Sequence, residues 1–222
     1  MIVLALDTAL DACSVAVVAD GQPLAVRTEA MERGHQERLA PMVAEAMQAA
    51  GVAFAALDRI AVTVGPGSFT GLRVGLAFAK AMSLALGIPC LGVGTLEALA
   101  ASAPGRKDAP LLVAALDARR DQLYLQAFSR ARPLGDPENL PLEAAVERLA
   151  GMGADESTPV VGSGAGLLGL GDRAQPTPDM IDPIALARLA AVRPKPDGRP
   201  APMYLRAPDA RTLAERARIA QT

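Results

Sequence analysis

Residues 60–75 read Ile60-Ala61-Val62-Thr63-Val64-Gly65-Pro66-Gly67-Ser68-Phe69-Thr70-Gly71-Leu72-Arg73-Val74-Gly75. A short apolar run, fit for a buried strand over Ile60 to Val64, ends in a Gly-Pro-Gly turn, and the turn opens into an apolar segment that runs to Leu86 before Gly87. Strand, glycine turn and helix in succession make a βα unit, so the chain reads as mixed α/β. Ser68 and Thr70 are N-cap candidates for the helix. Gly71 and Gly75 lie four apart on one helical face, where a missing side chain lets another element approach. The turn is a phosphate-loop look-alike without the Lys-Ser/Thr that would follow, so β- and γ-phosphates would lack their usual cation.

Upstream, Ile2 to Leu6 and Cys13 to Val18 read as buried strands, and Asp20-Gly21 as a hairpin turn into a third strand, Leu24 to Thr28. From His35 to Ala50 the apolar residues Leu39, Met42, Val43, Ala46, Met47 and Ala50 recur at helical spacing, and Gly51 is a natural stop. Downstream of the helix Thr70 to Leu86 come a strand at Cys90 to Val93 and a helix from about Thr95.

After a Gly/Pro/charge-rich stretch, Ser102 to Pro110, the pattern restarts. Val3-Leu4-Ala5-Leu6-Asp7-Thr8 is echoed by Val113-Ala114-Ala115-Leu116-Asp117-Ala118, and Val62-Thr63-Val64-Gly65-Pro66-Gly67 by Pro159-Val160-Val161-Gly162-Ser163-Gly164. Two landmarks in the same order point to a duplicated α/β unit with a degenerate second copy. The expected division is 1–103 and 104–222. The second copy is predicted to hold strands at Leu111 to Leu116, Leu123 to Phe128 and Val160 to Val161, with helices at Leu142 to Ala150 and Pro183 to Ala191. Asp182 would cap the last of these, with Pro183 at its first position. Prolines 194, 196, 200 and 202 predict an extended surface segment leading to Met203-Tyr204-Leu205-Arg206 and a mobile ending.

The chain has 222 residues, 51% of them apolar, enough to bury a real core. No apolar run is expected to span a bilayer and no basic leader precedes the first strand, so a soluble cytoplasmic protein is expected. Cys13 and Cys90 sit apart in apolar segments, as buried hydrophobes do. A net charge of −2 excludes a globally basic nucleic-acid binder, although Arg188 to Arg218 holds eight Lys/Arg against three Asp/Glu. That end suits an acidic partner or a solvated tail equally well.

In a duplicated α/β protein with an Asp-tipped hairpin in each half, the natural ligand site is the cleft between halves. Asp7 and Asp117 would face each other across it, with Thr8, Gly65, Gly67, Gly162 and Gly164 as the remaining nucleotide-site candidates; turn capping is the plainer role for the aspartates. Gly164-Ala165-Gly166-Leu167-Leu168-Gly169 matches the dinucleotide fingerprint, but no acidic strand end follows it. His35 is the only histidine. It reads as an exposed first-turn residue, and Leu39 stands where a helical His-x-x-x-His metal pair would need its second member. No Gly-x-Ser-x-Gly elbow is present, so no catalytic residue and no metal site is assigned. For the glycine-spaced helical face, close packing is favoured over nucleotide binding.

Leu4-Ala5-Leu6-Asp7-Thr8, Cys13-Ser14-Val15-Ala16, His35-Gln36-Glu37-Arg38-Leu39, the run Gly65 to Gly75, Leu116-Asp117-Ala118-Arg119 and Pro202-Met203-Tyr204-Leu205-Arg206 together resemble the TsaB (YeaZ) family over nearly the whole chain. The resemblance implies an actin/Hsp70/sugar-kinase-like fold of two RNase H-like halves, the second reduced. It further implies a non-catalytic scaffold role in placing threonylcarbamoyl on N6 of the adenosine beside the anticodon, in tRNAs reading codons that begin with A. The homologous TsaD subunit would carry the metal and transfer the group, the ATPase TsaE would join, and tRNA would be met through the complex. The partner surface would then be the helices bearing His35, Leu39, Met42, Val43, Ala46, Thr70, Gly71, Leu72, Gly75, Leu76 and Ala79, with a homodimer forming through the same patch when TsaD is absent. No cofactor is expected on the isolated chain, with ATP or ADP held in the complex. The alternatives are an active nucleotide-binding ATPase or kinase of the same superfold and, against the single histidine, a metallopeptidase.

Overall fold

The computed structural model describes residues 1–103, 109–169 and 180–206. Its first sheet has the order β3-β2-β1-β4-β5, formed by β1 (Ile2–Asp7), β2 (Ala12–Ala19), β3 (Gln22–Ala30), β4 (Arg59–Thr63) and β5 (Cys90–Val93). The first three strands form an antiparallel meander, turned at Asp20 (φ 48°) and Gly21 (φ 78°), and β4 and β5 add in parallel. Antiparallel hairpins followed by parallel crossovers through helices are the RNase H-like arrangement. α1 (His35–Ala50) and α2 (Phe69–Leu86) cover one face of this sheet, each ending in a left-handed glycine, Gly51 and Gly87. Ser68 caps α2 by accepting from Gly71 N at 3.2 Å.

The second sheet runs β10-β6-β7-β8, with β9 also pairing β7, from β6 (Leu112–Asp117), β7 (Gln122–Ser129), β8 (Arg132–Pro133), β9 (Glu138–Pro141) and β10 (Val160–Val161). β10, β6, β7 and β8 repeat the 4-1-2-3 part of the first sheet, with the same parallel and antiparallel pairings. α4 (Leu142–Gly151) and a 3-10 turn at Ser163–Leu167 cover its outer face. Between the two sheets lie α3 (Thr95–Ser102) and α5 (Pro183–Ala191). Their apolar residues Leu96, Leu99, Leu186, Ala187 and Ala190 join Val3, Ala5, Ala16 and Ala61 of the first sheet to Leu112, Ala114, Leu116 and Phe128 of the second in one continuous core.

α5 packs on the first sheet although it lies late in the chain, capped by Asp182 accepting from Ile184 N at 2.9 Å. The lobes therefore exchange elements across the expected division at 103/104. The C-terminal segment follows α5 as an extended strap along edge strand β5: Arg193 donates to Gly92 O at 3.0 Å, and Pro200 presses on Gly92. Its prolines cover the edge without offering donors of their own. The predicted mobile ending lies outside the described residues, as does part of the Ser102 to Pro110 linker.

The second sequence echo does not coincide with the register. Ala114, three residues before Asp117, corresponds to Leu4, three residues before Asp7; Leu4 pairs with Ile60 and Ala114 with Val161. Val161 is thus the counterpart of Ile60, not of Val64. With only two residues in β10, the glycine turn falls early, against the Ala115 carbonyl. α2 also departs from expectation. Its 18 residues have a mean hydropathy of 1.3, long and apolar enough to cross a membrane by length and composition, and only 28% of them are buried.

Candidate functional site

The end of β1 is where the first glycine turn, α2 and the cleft between lobes meet. Asp7 closes the strand with a fully buried carboxylate whose Oδ1 accepts from Ala9 N at 3.0 Å and from the Thr63 hydroxyl at 2.7 Å. Its Oδ2 has no partner among the described residues, and neither has the hydroxyl of Ser14, the residue opposite it in register. Burial is the largest influence on this acid and pushes it up to about 6, against the stabilising hydrogen bonds from Thr63 and Ala9. Thr8, also buried, donates its hydroxyl to Gly71 O at 2.8 Å. Gly71 and Gly75 are required by this approach: a Cβ on Gly71 would collide with the Thr8 carbonyl, and one on Gly75 would stand 2.5 Å from Thr8 Oγ1.

The cleft, about 370 Å³, is lined by Ala9, Leu10, Asp11, Gly67, Ser68, Leu116, Asp117, Ala118, Arg119, Tyr124 and Ser163. Of the expected nucleotide-site residues only Gly67 and Asp117 reach it. Asp7 and Thr8 turn inward to hold β1 to β4 and α2, so the expectation that Asp7 and Asp117 face each other across the cleft is corrected. Gly65 is closed off by the Met203 carbonyl, Gly162 by Leu99 and Ala115, and Gly164 by Leu123 and Ala115. Asp117 organises its own hairpin, accepting from Arg119 N at 2.7 Å while its backbone N–H donates to Ser163 Oγ at 3.0 Å. Arg119, Arg120 and Asp121 follow with φ of 62°, 55° and 56°. The dinucleotide-like run after Gly162 folds as a 3-10 turn rather than a helix whose N-terminus could receive a pyrophosphate. Asp11 and Tyr124 carry no local signal for this cleft, and Ser68 and Ser163 read in the sequence only as a helix cap and part of a turn, because only the meeting of the two lobes assembles them.

On the other face, the apolar stripe expected to meet a partner is the inward one. Leu39, Met42, Val43, Ala46, Leu76 and Ala79 are buried against Leu4, Leu6, Cys13, Val15, Val17, Ile60 and Val62. Leu72 is buried toward the inner core, and Gly71 and Gly75 pack on Thr8. His35 is likewise buried, its Nε2 3.2 Å from Ala12 O, a contact that places the proton on Nε2. Helical periodicity identifies a covered face but not the cover, which here is the chain's own sheet. Burial pushes the thiols of Cys13 and Cys90 up to about 11, which keeps both protonated. Among the described residues, no three His, Cys, Asp or Glu side chains gather as a metal site.

The outward face of α2 is largely apolar. A groove of about 500 Å³ runs between α1 and α2, lined by Gln36, Leu39, Phe69, Thr70, Arg73, Val74, Ala77 and Phe78. Of the expected partner residues, Thr70 and the edge of Leu39 reach it. Beyond it Ala81, Leu84 and Ala85 continue the exposed surface, Leu84 with 66% of its area open. At its edge Phe69 and Tyr204 pack as a tilted ring pair with centroids 5.4 Å apart, and the Arg73 guanidinium lies 3.7 Å over the Phe69 ring.

The family model for TsaD: tRNA N6-adenosine threonylcarbamoyltransferase matches residues 26–156. A relative from Escherichia coli strain K12, a tRNA threonylcarbamoyladenosine biosynthesis protein TsaB, is 38% identical over 130 residues, covering 59% of this chain and 56% of its own. The chain thus spans about half the length of the first such relatives. An uncharacterised protein of Mycobacterium tuberculosis strain H37Rv is 36% identical over 96% of this chain and 95% of its own. A solved structure of a Pseudomonas aeruginosa protein with similarity to peptidase YeaZ superposes with a TM-score of 0.74 at 33% identity, covering 92% of this chain and 99% of that one. YeaZ from Pseudomonas aeruginosa gives 0.58 at 38% identity, over 64% of this chain and 68% of its own.

Two RNase H-like sheets enclosing shared helices, with a cleft at their strand ends, define an α/β protein of the actin/Hsp70/sugar-kinase-like class. Within that class, the whole-length likeness to YeaZ-like structures is matched by likeness in sequence. The chain belongs to the TsaB (YeaZ) family.

Proposed function

We propose that this chain is a non-catalytic scaffold subunit in the synthesis of N6-threonylcarbamoyladenosine in tRNA, and that it docks a TsaD-type catalytic subunit on the outward face of α1 and α2. The observation that carries the reading is the contrast between its two candidate surfaces. The aspartate ending β1 is spent inside the fold and the single histidine on a backbone carbonyl. The long helix α2, by contrast, leaves most of its apolar length uncovered. Exposed apolar surface of that extent on a helix pair suits a partner. In this reading the chain pairs with itself when the catalytic subunit is missing, a TsaE-type ATPase joins the assembly, and tRNA is met through the complex in the cytoplasm. ATP or ADP is held by the assembled complex rather than by the isolated chain.

The test is reconstitution with purified TsaD-type and TsaE-type proteins, tRNA and the threonylcarbamoyl donor, with and without this chain. Modification is expected to depend on the chain, and the chain alone is expected to give neither product nor ATP turnover. Full-rate modification in its absence, or transfer by the chain unaided, would remove the scaffold role.

A further inference from the structure

Resting on that docking reading, the edge of the groove carries a further assignment. Among the described residues, Arg73 is the only charged one lining the groove. Its guanidinium is held on two sides, by the Phe69 ring beneath it at 3.7 Å and by Tyr204, whose hydroxyl accepts from Arg73 Nε at 3.3 Å. The terminal nitrogens have no partner among the described residues. Tyr204 is fixed in turn by the strap: Met203 N donates to Val64 O at 2.6 Å, and Arg206 to Ala118 O of the second lobe at 3.0 Å. A guanidinium stacked on an aromatic ring and held at Nε keeps both terminal groups free and coplanar, the geometry that receives the two oxygens of a carboxylate.

We propose that Arg73 is a carboxylate receptor on the docking face, positioned by Tyr204, and that the catalytic subunit seated here presents an apolar helical face bearing an Asp or Glu opposite it. The groove lining calls for this chemistry: it offers apolar surface through Val74, Ala77 and Phe78 and, among the described residues, a single positive charge with no acid beside it in the lining. Arginine and tyrosine beside a desolvated apolar patch are also the residue types that dominate binding energy at interfaces. The C-terminal strap thereby becomes part of the interface without crossing the groove.

The experiment measures affinity of the full chain for its TsaD-type partner at low and high salt, for Arg73→Ala, Arg73→Lys, Tyr204→Phe and, as a test of the face itself, Val74→Glu. Arg73→Ala is expected to weaken binding by about tenfold or more and to flatten its salt dependence, as for loss of a paired interfacial charge. Arg73→Lys should recover little, because an ammonium does not reproduce the fork. Tyr204→Phe keeps the stack but frees Nε and should fall between. Wild-type affinity and salt dependence in Arg73→Ala, with binding lost in Val74→Glu, overturns the receptor and leaves the docking face standing. Undiminished binding in Val74→Glu overturns the face and the receptor with it. A loss in Arg73→Ala confined to self-association assigns the carboxylate to a second copy of this chain, which also overturns the proposal.

Discussion

Thr8 donates its hydroxyl to the carbonyl of Gly71 at 2.8 Å, tying the end of β1 to the first turn of α2 across 63 residues of chain. The bond forms only because α2 comes down on the strand with no side chain between them. Gly71 therefore serves the fold of this chain rather than its encounter with another.

Gly71→Ala puts a methyl group where the Thr8 carbonyl oxygen stands. Neither backbone can yield without moving a whole element, so the variant is expected to lose about 2–3 kcal/mol of stability, in the range of overpacked cores. Gly75→Ala meets a hydroxyl that can rotate away and should lose less, about 1 kcal/mol for the hydrogen bond given up. Urea unfolding measures both. A Gly71→Ala protein as stable as wild type would contradict the close approach.

Asp7 makes stability fall with rising pH in a window where most carboxylates do the opposite. Its acid is raised from 3.8 to about 6 in the folded chain by burial. The folded state therefore binds a proton that the unfolded state has released, and stability declines from about pH 4 to pH 6 and is level above. The protonated acid also has a donor for the inner face, where Oδ2 and Ser14 Oγ lack partners among the described residues. Asp7→Asn keeps the shape without the charge. Its stability relative to wild type should grow by on the order of 2–3 kcal/mol between pH 4 and pH 7. Parallel pH profiles of unfolding free energy for the two proteins would sink the assignment.

The elements that position this site were legible where local chemistry dictates them. Glycine stops, the Ser68 and Asp182 caps and the helical spacing from Leu39 to Met47 act over a few residues, and each does in the fold what its local sequence implies. β8 and β9 were not legible, because Arg132–Pro133 and Glu138–Pro141 are short, polar and proline-containing, and are strands only by pairing with β7. The return of α5 to the first sheet leaves no local mark either. Period alone could not say that Leu39 and Leu76 face the chain's own sheet while Arg73 and Ala77 face outward. The contact of Tyr204 with Phe69 joins residues 135 apart in number, a relation that only the path of the strap creates.

Arg59 holds the returning helix in place. Its guanidinium donates to the carbonyls of Ala190 at 2.6 Å and Arg193 at 2.9 Å, satisfying the open end of α5. Arg59→Ala leaves these partly buried acceptors without that donor and should cost about 1–3 kcal/mol. The loss should come with faster amide exchange in α5 and the strap than in α4. Uniform exchange rates in the variant would argue that α5 is held by its apolar face alone.

Ala77 lies in the groove between α1 and α2, exposed, with its Cβ directed away from the sheet that buries Leu76 and Ala79. A charged side chain there has room in the monomer, so Ala77→Glu should change folding stability by no more than about 0.5 kcal/mol. In an interface the same side chain would be buried without a partner, a cost of several kcal/mol. The isolated wild-type chain is expected to sediment as a dimer with both copies presenting this face, as a two-fold contact requires. Ala77→Glu is expected to sediment as a monomer with an unchanged unfolding midpoint. A variant that stays dimeric would move the self-contact to another surface, and one that unfolds early would mean that Ala77 is packed against its own chain.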